Sequence, residues 1–174
     1  MKAIEDIKNR KGFQRIVLLC MIAMILLSCK GEGVMGEGDA LVSISKLTED
    51  DWKYLNRSKI FFGHKSVGNN IIGGMDAIFV DNSMISLEIV KTRSSGEYVD
   101  GTFGHDDIGQ NRKPYTKMDD FFQAMNGGLG NTVDIAFFKF CYVDIDGSSD
   151  IHLIFHAYKE KLAEIEAMFP KTTF

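Results

Sequence analysis

The sequence predicts an α/β fold in which a parallel β-sheet carries helices on both faces. Strand-like and helix-like segments alternate along the chain, and this order is typical of parallel sheets. Residues 133–143, VDIAFFKFCYV, are almost continuously apolar and rich in aromatic residues, as expected of a central strand that is covered on both faces. Residues 151–168 repeat apolar side chains at helical spacing, as expected of a helix that packs on such a sheet.

The N-terminus predicts export and a lipid anchor. Residues 1–15 carry five Lys or Arg residues, and residues 16–28 form an apolar run that is too short to span a membrane comfortably and suits a signal peptide. The run ends in LLSC, which resembles a bacterial lipobox. We therefore expect residues 1–28 to be a lipoprotein signal peptide and the lipidated Cys29 to anchor an exported protein in a membrane of the bacterial cell envelope. A plain secretory signal or an uncleaved anchor helix is the alternative.

The remaining residues predict a tether and one domain. Residues 29–46 are rich in glycine and polar residues, as a flexible tether is, and residues 47–174 are long enough for one domain. Cys141 is the only cysteine after Cys29, so the domain has no internal disulfide and must be held by its core. The net charge of −4 argues against a protein that binds nucleic acid through bulk positive charge.

The first half of the domain predicts two helices and two strands. Thr48 and Asp51 have the spacing of a capping box at the start of a helix. Residues 59–63 and 86–92 predict strands. Residues 67–80 predict a helix whose apolar face is formed by Ile71, Ile72, Met75, Ile78 and Phe79.

The second half predicts a long polar loop at residues 93–114 and then further sheet and helix. A helix begins at Thr116, the strand at residues 133–143 follows, and residues 144–150 form an acidic loop. In the helix at residues 151–168, the residues expected to face the core are Leu153, Phe155, Leu162 and Ile165. Residues 171–174 begin another strand. Three or four strands are few for such a sheet, so we expect that the domain is incomplete at its C-terminus.

Residues 61–70, FFGHKSVGNN, place Ser66 at the turn between a predicted strand and a predicted helix. Ligands in α/β folds bind beyond the carboxyl ends of the strands, and the free N–H groups of a helix N-terminus stabilise the oxyanion that an attacking serine creates. The alternative is that Ser66 only caps the helix. A phosphate-binding P-loop is excluded, because His64 stands where its second glycine is required.

Three segments together resemble the SGNH/GDSL hydrolase superfamily: KIFFGHKSVGNNI, GHDDIGQNRKP and VDIAFFKFCYVDID. The resemblance implies a flavodoxin-like three-layer sandwich that hydrolyses esters on carbohydrates or the cell envelope. It further implies that Ser66 is the nucleophile, that Gly109 donates a backbone N–H to the oxyanion, and that the side chain of Asn111 donates another. The chain departs from the family pattern at Val143, where an oxyanion-hole asparagine is expected, and in having no Asp-x-x-His pair near its end.

The histidines and acidic residues offer weaker alternatives. His105, on the long predicted loop, is a candidate base for Ser66. His152 and His156 share one helix face at a spacing that suits zinc, but no third ligand is indicated. Residues 144–150 lack the spacing of a calcium loop. We therefore expect no metal and no cofactor. The leading hypothesis is a lipid-anchored esterase, and the alternative is a non-catalytic lipoprotein that binds glycan or a partner protein on the same scaffold.

Overall fold

The computed structural model describes residues 47–174, and the predicted signal peptide, Cys29 and the tether lie outside them. The chain divides after Tyr54, and its second unit, Leu55–Phe174, is compact. From residue 47 onward, no helix is long and apolar enough to cross a membrane.

The second unit contains a four-stranded sheet in which every strand pair is parallel, in the order β2-β3-β1-β4. The described helices are α1 Glu49–Leu55, α2 Val67–Asp81, α3 Pro114–Asn126 and α4 Ile151–Met168, and the strands are β1 Ile60–His64, β2 Glu88–Lys91, β3 Thr102–Asp107 and β4 Ile135–Phe138. Single helical turns lie at Ser95–Glu97, Leu129–Asn131 and Tyr142–Asp144. The predicted α/β class with a parallel sheet is confirmed, and the arrangement is consistent with a flavodoxin-like sandwich.

Helix α1 begins as its capping box predicts. The backbone N–H of Thr48 donates to the Asp51 carboxylate at 2.8 Å, and the N–H of Asp51 donates to the Thr48 hydroxyl at 3.3 Å. Two N–H groups that have no partner within the helix are thereby satisfied.

The central strand β1 is buried along its whole length and separates the two helical layers. Side chains alternate between the faces of a strand. Phe61 stacks on Phe121 of α3 at 6.1 Å between ring centroids, and it belongs to a core cluster that includes Ile165 of α4. On the opposite face, the ring of His64 lies against Gly68 of α2. The sheet is therefore covered by α2 on one face and by α3 and α4 on the other.

Two strands differ from the prediction. Strand β3 lies inside the segment predicted as a polar loop, so the prediction of one long loop at residues 93–114 is wrong. Strand β4 covers only Ile135–Phe138 of the strand predicted at residues 133–143, and the end of that segment enters the helical turn at Tyr142–Asp144. At the end of the chain, Ala136 donates its N–H to the carbonyl of Thr173 at 2.9 Å, and this parallel bridge beside β4 agrees with the strand predicted at residues 171–174.

Helix α4 has the predicted bounds but a different buried face. Leu153 and Phe155 are 61% and 56% exposed, so their predicted place in the core is wrong. Ile165 is buried as predicted, and Ile154 is buried in place of Leu153 and Phe155. Asp150 caps the helix by accepting a hydrogen bond from the N–H of Leu153 at 3.0 Å.

Candidate active site

Ser66 lies at the turn from β1 into α2 with a strained backbone. Its φ is 54° and its ψ is −110°, a region that non-glycine residues occupy at a cost of about 1–3 kcal/mol. The residue occupies the N-cap position, but its side chain makes no capping hydrogen bond, and it is exposed. The capping role that competes with the nucleophile hypothesis is therefore not performed by this side chain.

The turn is tight because Gly68 has no side chain. A Cβ at Gly68 would lie 2.4 Å from the Cβ, Cγ and Nδ1 atoms of His64, which is closer than nonbonded atoms approach. The residues two before and two after Ser66 are thus in direct contact, and this contact presses the first turn of α2 onto β1. The spacing His64-x-Ser66-x-Gly68 matches the strand-turn-helix arrangement of a nucleophile elbow, with histidine in place of its first glycine.

Beneath this turn, His64 pairs with His105 of β3. The Nε2 atom of His64 and the Nδ1 atom of His105 are 2.9 Å apart, and the rings are stacked with centroids 5.1 Å apart. His105 is buried within a strand, so its predicted place on a polar loop is wrong. The Nδ1 atom of His64 has no hydrogen-bond partner among the described residues.

Burial keeps both imidazoles uncharged at neutral pH. Burial, together with the neighbouring His105 and Lys139, lowers the pKa of His64 to about 4, against the opposing effect of Asp107 and Asp106. Burial and Lys91 likewise lower the pKa of His105, while Asp106, Asp107 and Asp76 oppose this. A proton shared between two neutral rings leaves one nitrogen as the donor and the other as the acceptor.

The end of β4 contacts the same turn through a thiol and an ammonium group. The Sγ atom of Cys141 donates to the carbonyl oxygen of Lys65 at 3.0 Å. The Nζ atom of Lys139 lies 3.6 Å from that sulfur. The backbone N–H of Lys139 donates to the carbonyl of Gly63 at 3.1 Å, which fixes the position of Lys139 beside His64.

Helix α2 supplies a backbone donor next to Ser66. The first N–H groups of a helix have no acceptor in the preceding turn. Among the backbone hydrogen bonds of residues 47–174, none uses the N–H of Val67. In a nucleophile elbow, the N–H that follows the serine is the one that binds the oxyanion.

Gly109, predicted as an oxyanion donor, follows β3 with a φ of +52°. Its N–H donates to the Asp120 carboxylate at 2.8 Å, so that donor is already engaged in this structure. Arg93 holds the carboxylate in place, since its Nη1 atom donates to Asp120 at 2.7 Å and its Nε atom to Asp106 at 2.6 Å. These bonds lower the pKa of Asp120.

Asn111, predicted as a side-chain donor, is exposed. Its Oδ1 atom accepts a hydrogen bond from Lys117 at 3.2 Å. Lys117 also forms a fully buried ion pair with Asp144, whose Oδ2 atom is 2.5 Å away. Asp144 in turn accepts hydrogen bonds from the N–H groups of Cys141 and Arg112 at 2.6 and 2.8 Å. Asp144, which lies in the third segment that resembles the SGNH/GDSL hydrolases, VDIAFFKFCYVDID, therefore joins the loops after β3 and β4.

Among the described residues, no imidazole hydrogen-bonds to the Ser66 hydroxyl. His64 and His105 bond to each other, and His152 and His156 lie exposed on α4, where His156 approaches Glu160 at 3.2 Å. Within residues 47–174, no three His, Cys, Asp or Glu side chains are grouped to hold a metal ion.

A separate open depression of about 580 Å³ lies between the start of α3 and the loop before α4. Its lining includes Arg112, Tyr115, Asp146 and Ser149. Hydrogen bonds from Ser148 and Ser149 lower the pKa of Asp146. Ser66 is not part of this lining.

The sequence predicted Ser66 as a candidate but did not predict the residues that lie against its turn. Gly68 was visible as the second half of a His-x-Ser-x-Gly spacing. Lys139 and Cys141 carried no signal, because only the pairing of β4 with β1 brings them to the turn. Comparison of the chain with protein-family models, with curated proteins and with solved structures found no match in any of the three.

Proposed function

We propose that the protein is a serine ester hydrolase of the SGNH type, with Ser66 as the nucleophile and Cys29 as the lipid anchor. The observation that carries the proposal is Ser66 at the carboxyl end of a central parallel strand. Its backbone is strained, and its exposed side chain makes no capping hydrogen bond to the helix that follows. A structure maintains such strain only when surrounding contacts enforce it, and such residues cluster at functional sites. Here the close approach of Gly68 to His64 brackets the strained residue on both sides.

The proposed reaction proceeds by acyl transfer. The Oγ atom of Ser66 bonds to the ester carbonyl carbon while the π electrons move onto the carbonyl oxygen, where the N–H of Val67 and the positive end of α2 stabilise the charge. The hydroxyl proton passes to hydroxide. The adduct expels the alkoxide, which takes a proton from water and leaves as the alcohol, and a second water then hydrolyses the acyl-serine to the free acid and Ser66. The substrates proposed from the family resemblance are esters, such as acetyl groups, on carbohydrates or other cell-envelope molecules.

The test uses an activated ester, because its leaving group needs no proton. We expect the full chain in mild detergent to hydrolyse p-nitrophenyl acetate at alkaline pH and to be labelled by a fluorophosphonate probe. Ser66→Ala removes both, whereas Ser83→Ala, at an exposed turn residue, retains both. Hydrolysis that survives Ser66→Ala excludes this serine as the nucleophile.

The alternative, a non-catalytic lipoprotein that binds glycan or a protein partner, is favoured by one observation. No described side chain hydrogen-bonds to the Ser66 hydroxyl, and a serine without a base is a weak nucleophile. Under this alternative, wild-type protein is not labelled by the probe, and Ser66→Ala retains the same binding to cell-envelope glycan as wild-type protein.

A further inference from the structure

Lys139 directs its side chain to the face of the sheet on which the Ser66 turn lies. Phe137 stacks on Phe62 at 4.8 Å between ring centroids, whereas Phe138 packs on Phe121 at 4.9 Å on the opposite face. Alternation along the strand therefore places Lys139 on the side of Phe62 and His64. The effect of the Lys139 charge on the His64 pKa agrees with this placement.

Two contacts connect the Lys139 ammonium to the peptide that precedes Ser66. Its Nζ atom lies 3.6 Å from the Cys141 sulfur, and that sulfur contacts the carbonyl oxygen of Lys65 at 3.0 Å. The side chain of Lys139 is only partly buried, so its terminal atoms can still turn toward a ligand at Ser66.

The ammonium also lacks a negative partner. Four carboxylates near this edge of the sheet are already paired: Asp106 with Lys91 and Arg93, Asp107 with Lys91, Asp120 with Arg93, and Asp144 with Lys117. None of the ion pairs within residues 47–174 includes Lys139. A partly buried cation without a counter-charge interacts favourably with negative charge that appears beside it.

We propose that Lys139 stabilises the oxyanion formed when Ser66 attacks an ester, supplying the interaction that an asparagine in the position of Val143 would otherwise make. This inference rests on the proposed hydrolase function. The N–H of Val67 approaches the oxyanion from α2, and the Lys139 ammonium approaches it from β4. Because the charge exists only after the Ser66–carbon bond forms, the interaction acts on kcat more than on KM.

The test measures kcat and KM for two esters with Lys139→Met, Lys139→Arg and the control Lys159→Met. One ester is p-nitrophenyl acetate, which is neutral, and the other is the mono-p-nitrophenyl ester of glutaric acid, which carries a carboxylate. Methionine keeps the aliphatic stem but removes the charge, arginine keeps the charge, and Lys159 is exposed on α4. Lys139→Gln provides a second neutral variant should the methionine variant fail to fold.

We expect Lys139→Met to lower kcat on both esters by about 100-fold, the size of effect seen when one oxyanion donor is lost. KM stays near its wild-type value, Lys139→Arg restores most of the loss, and Lys159→Met behaves as wild type. Unchanged kcat in Lys139→Met overturns the inference. A raised KM for the anionic ester alone also overturns it, because Lys139 would then recognise substrate charge.

The failure of this inference is distinct from the failure of the hydrolase proposal. Hydrolysis that depends on Ser66 but not on Lys139 refutes only the role of the lysine. A wild-type chain that neither hydrolyses the esters nor reacts with the fluorophosphonate refutes both.

Discussion

The buried imidazole of His64 predicts that acid destabilises the fold well above the pH at which carboxylates titrate. Its pKa is about 4 in the folded protein and 6.5 when unperturbed, because burial and the neighbouring His105 and Lys139 disfavour the charged ring. As the pH falls through 6.5, the unfolded chain takes up this proton first, which favours unfolding. The stability that the neutral His64 imidazole contributes is therefore fully present above about pH 6.5, and it is lost progressively as the pH falls to about 4.

The size of the loss in unfolding free energy follows from the size of the His64 pKa shift. Each pKa unit corresponds to about 1.4 kcal/mol, so the fall from 6.5 to about 4 corresponds to a loss of about 3 kcal/mol. The lowered pKa of His105 acts in the same direction. A loss of this size is a large fraction of the total stability of a small domain.

The assay is urea unfolding of the full chain in mild detergent, followed by circular dichroism between pH 7.5 and 4.5. We expect the free energy of unfolding to fall over this range in wild-type protein and to fall much less in His64→Gln. The control His156→Gln, at an exposed histidine, retains the wild-type dependence. Equal slopes for wild type and His64→Gln would refute the reasoning, since carboxylates alone would then account for acid sensitivity.

Two further predictions test the geometry around Ser66. Because glycine adopts positive φ without strain, Ser66→Gly should raise the free energy of unfolding by about 1 kcal/mol and abolish hydrolysis. Ser66→Ala should abolish hydrolysis with little change in stability. Urea unfolding that shows no difference between the two variants contradicts the strain at Ser66. Gly68→Ala should cost about 1–3 kcal/mol, because its methyl group would overlap the His64 ring. Gly73→Ala, in the same helix with no atom within 4 Å of the new methyl group, should stabilise by about 0.5–1 kcal/mol. Similar thermal shifts for the two alanine variants would contradict the close packing.

The sequence predicted those elements whose burial is apolar. Strand β1, helix α2 and helix α4 each have a strong apolar pattern, and each lies within a residue of its predicted bounds. In α4, the choice between adjacent apolar residues depends on how the helix rolls onto α3, which periodicity alone does not determine. This rotation of the helix is why Ile154 is buried and its neighbour Leu153 is exposed.

Strand β3 was missed because it is buried through polar contacts. Its sequence, TFGHDD, contains one large apolar residue. His105 is buried by its bond to His64, Gly104 leaves room for the ring of Tyr98, and Asp106 pairs with Arg93. His64 lies 41 residues from His105 and Arg93 lies 13 residues from Asp106, so a hydropathy pattern within the strand does not reveal these partners.

The same long-range pairing determines what the candidate site can do. Ser66 was visible in sequence because a strand, a serine and a helix are contiguous there. The groups around its turn come from other parts of the chain: His105 of β3 bonds to the His64 ring under the turn, and Lys139 and Cys141 lie just after β4. Gly109, the donor assigned by resemblance, is held by Asp120 instead. The charge that would stabilise an oxyanion here therefore comes from β4 and the start of α2, and activity should be more sensitive to Lys139 than to the loop after β3.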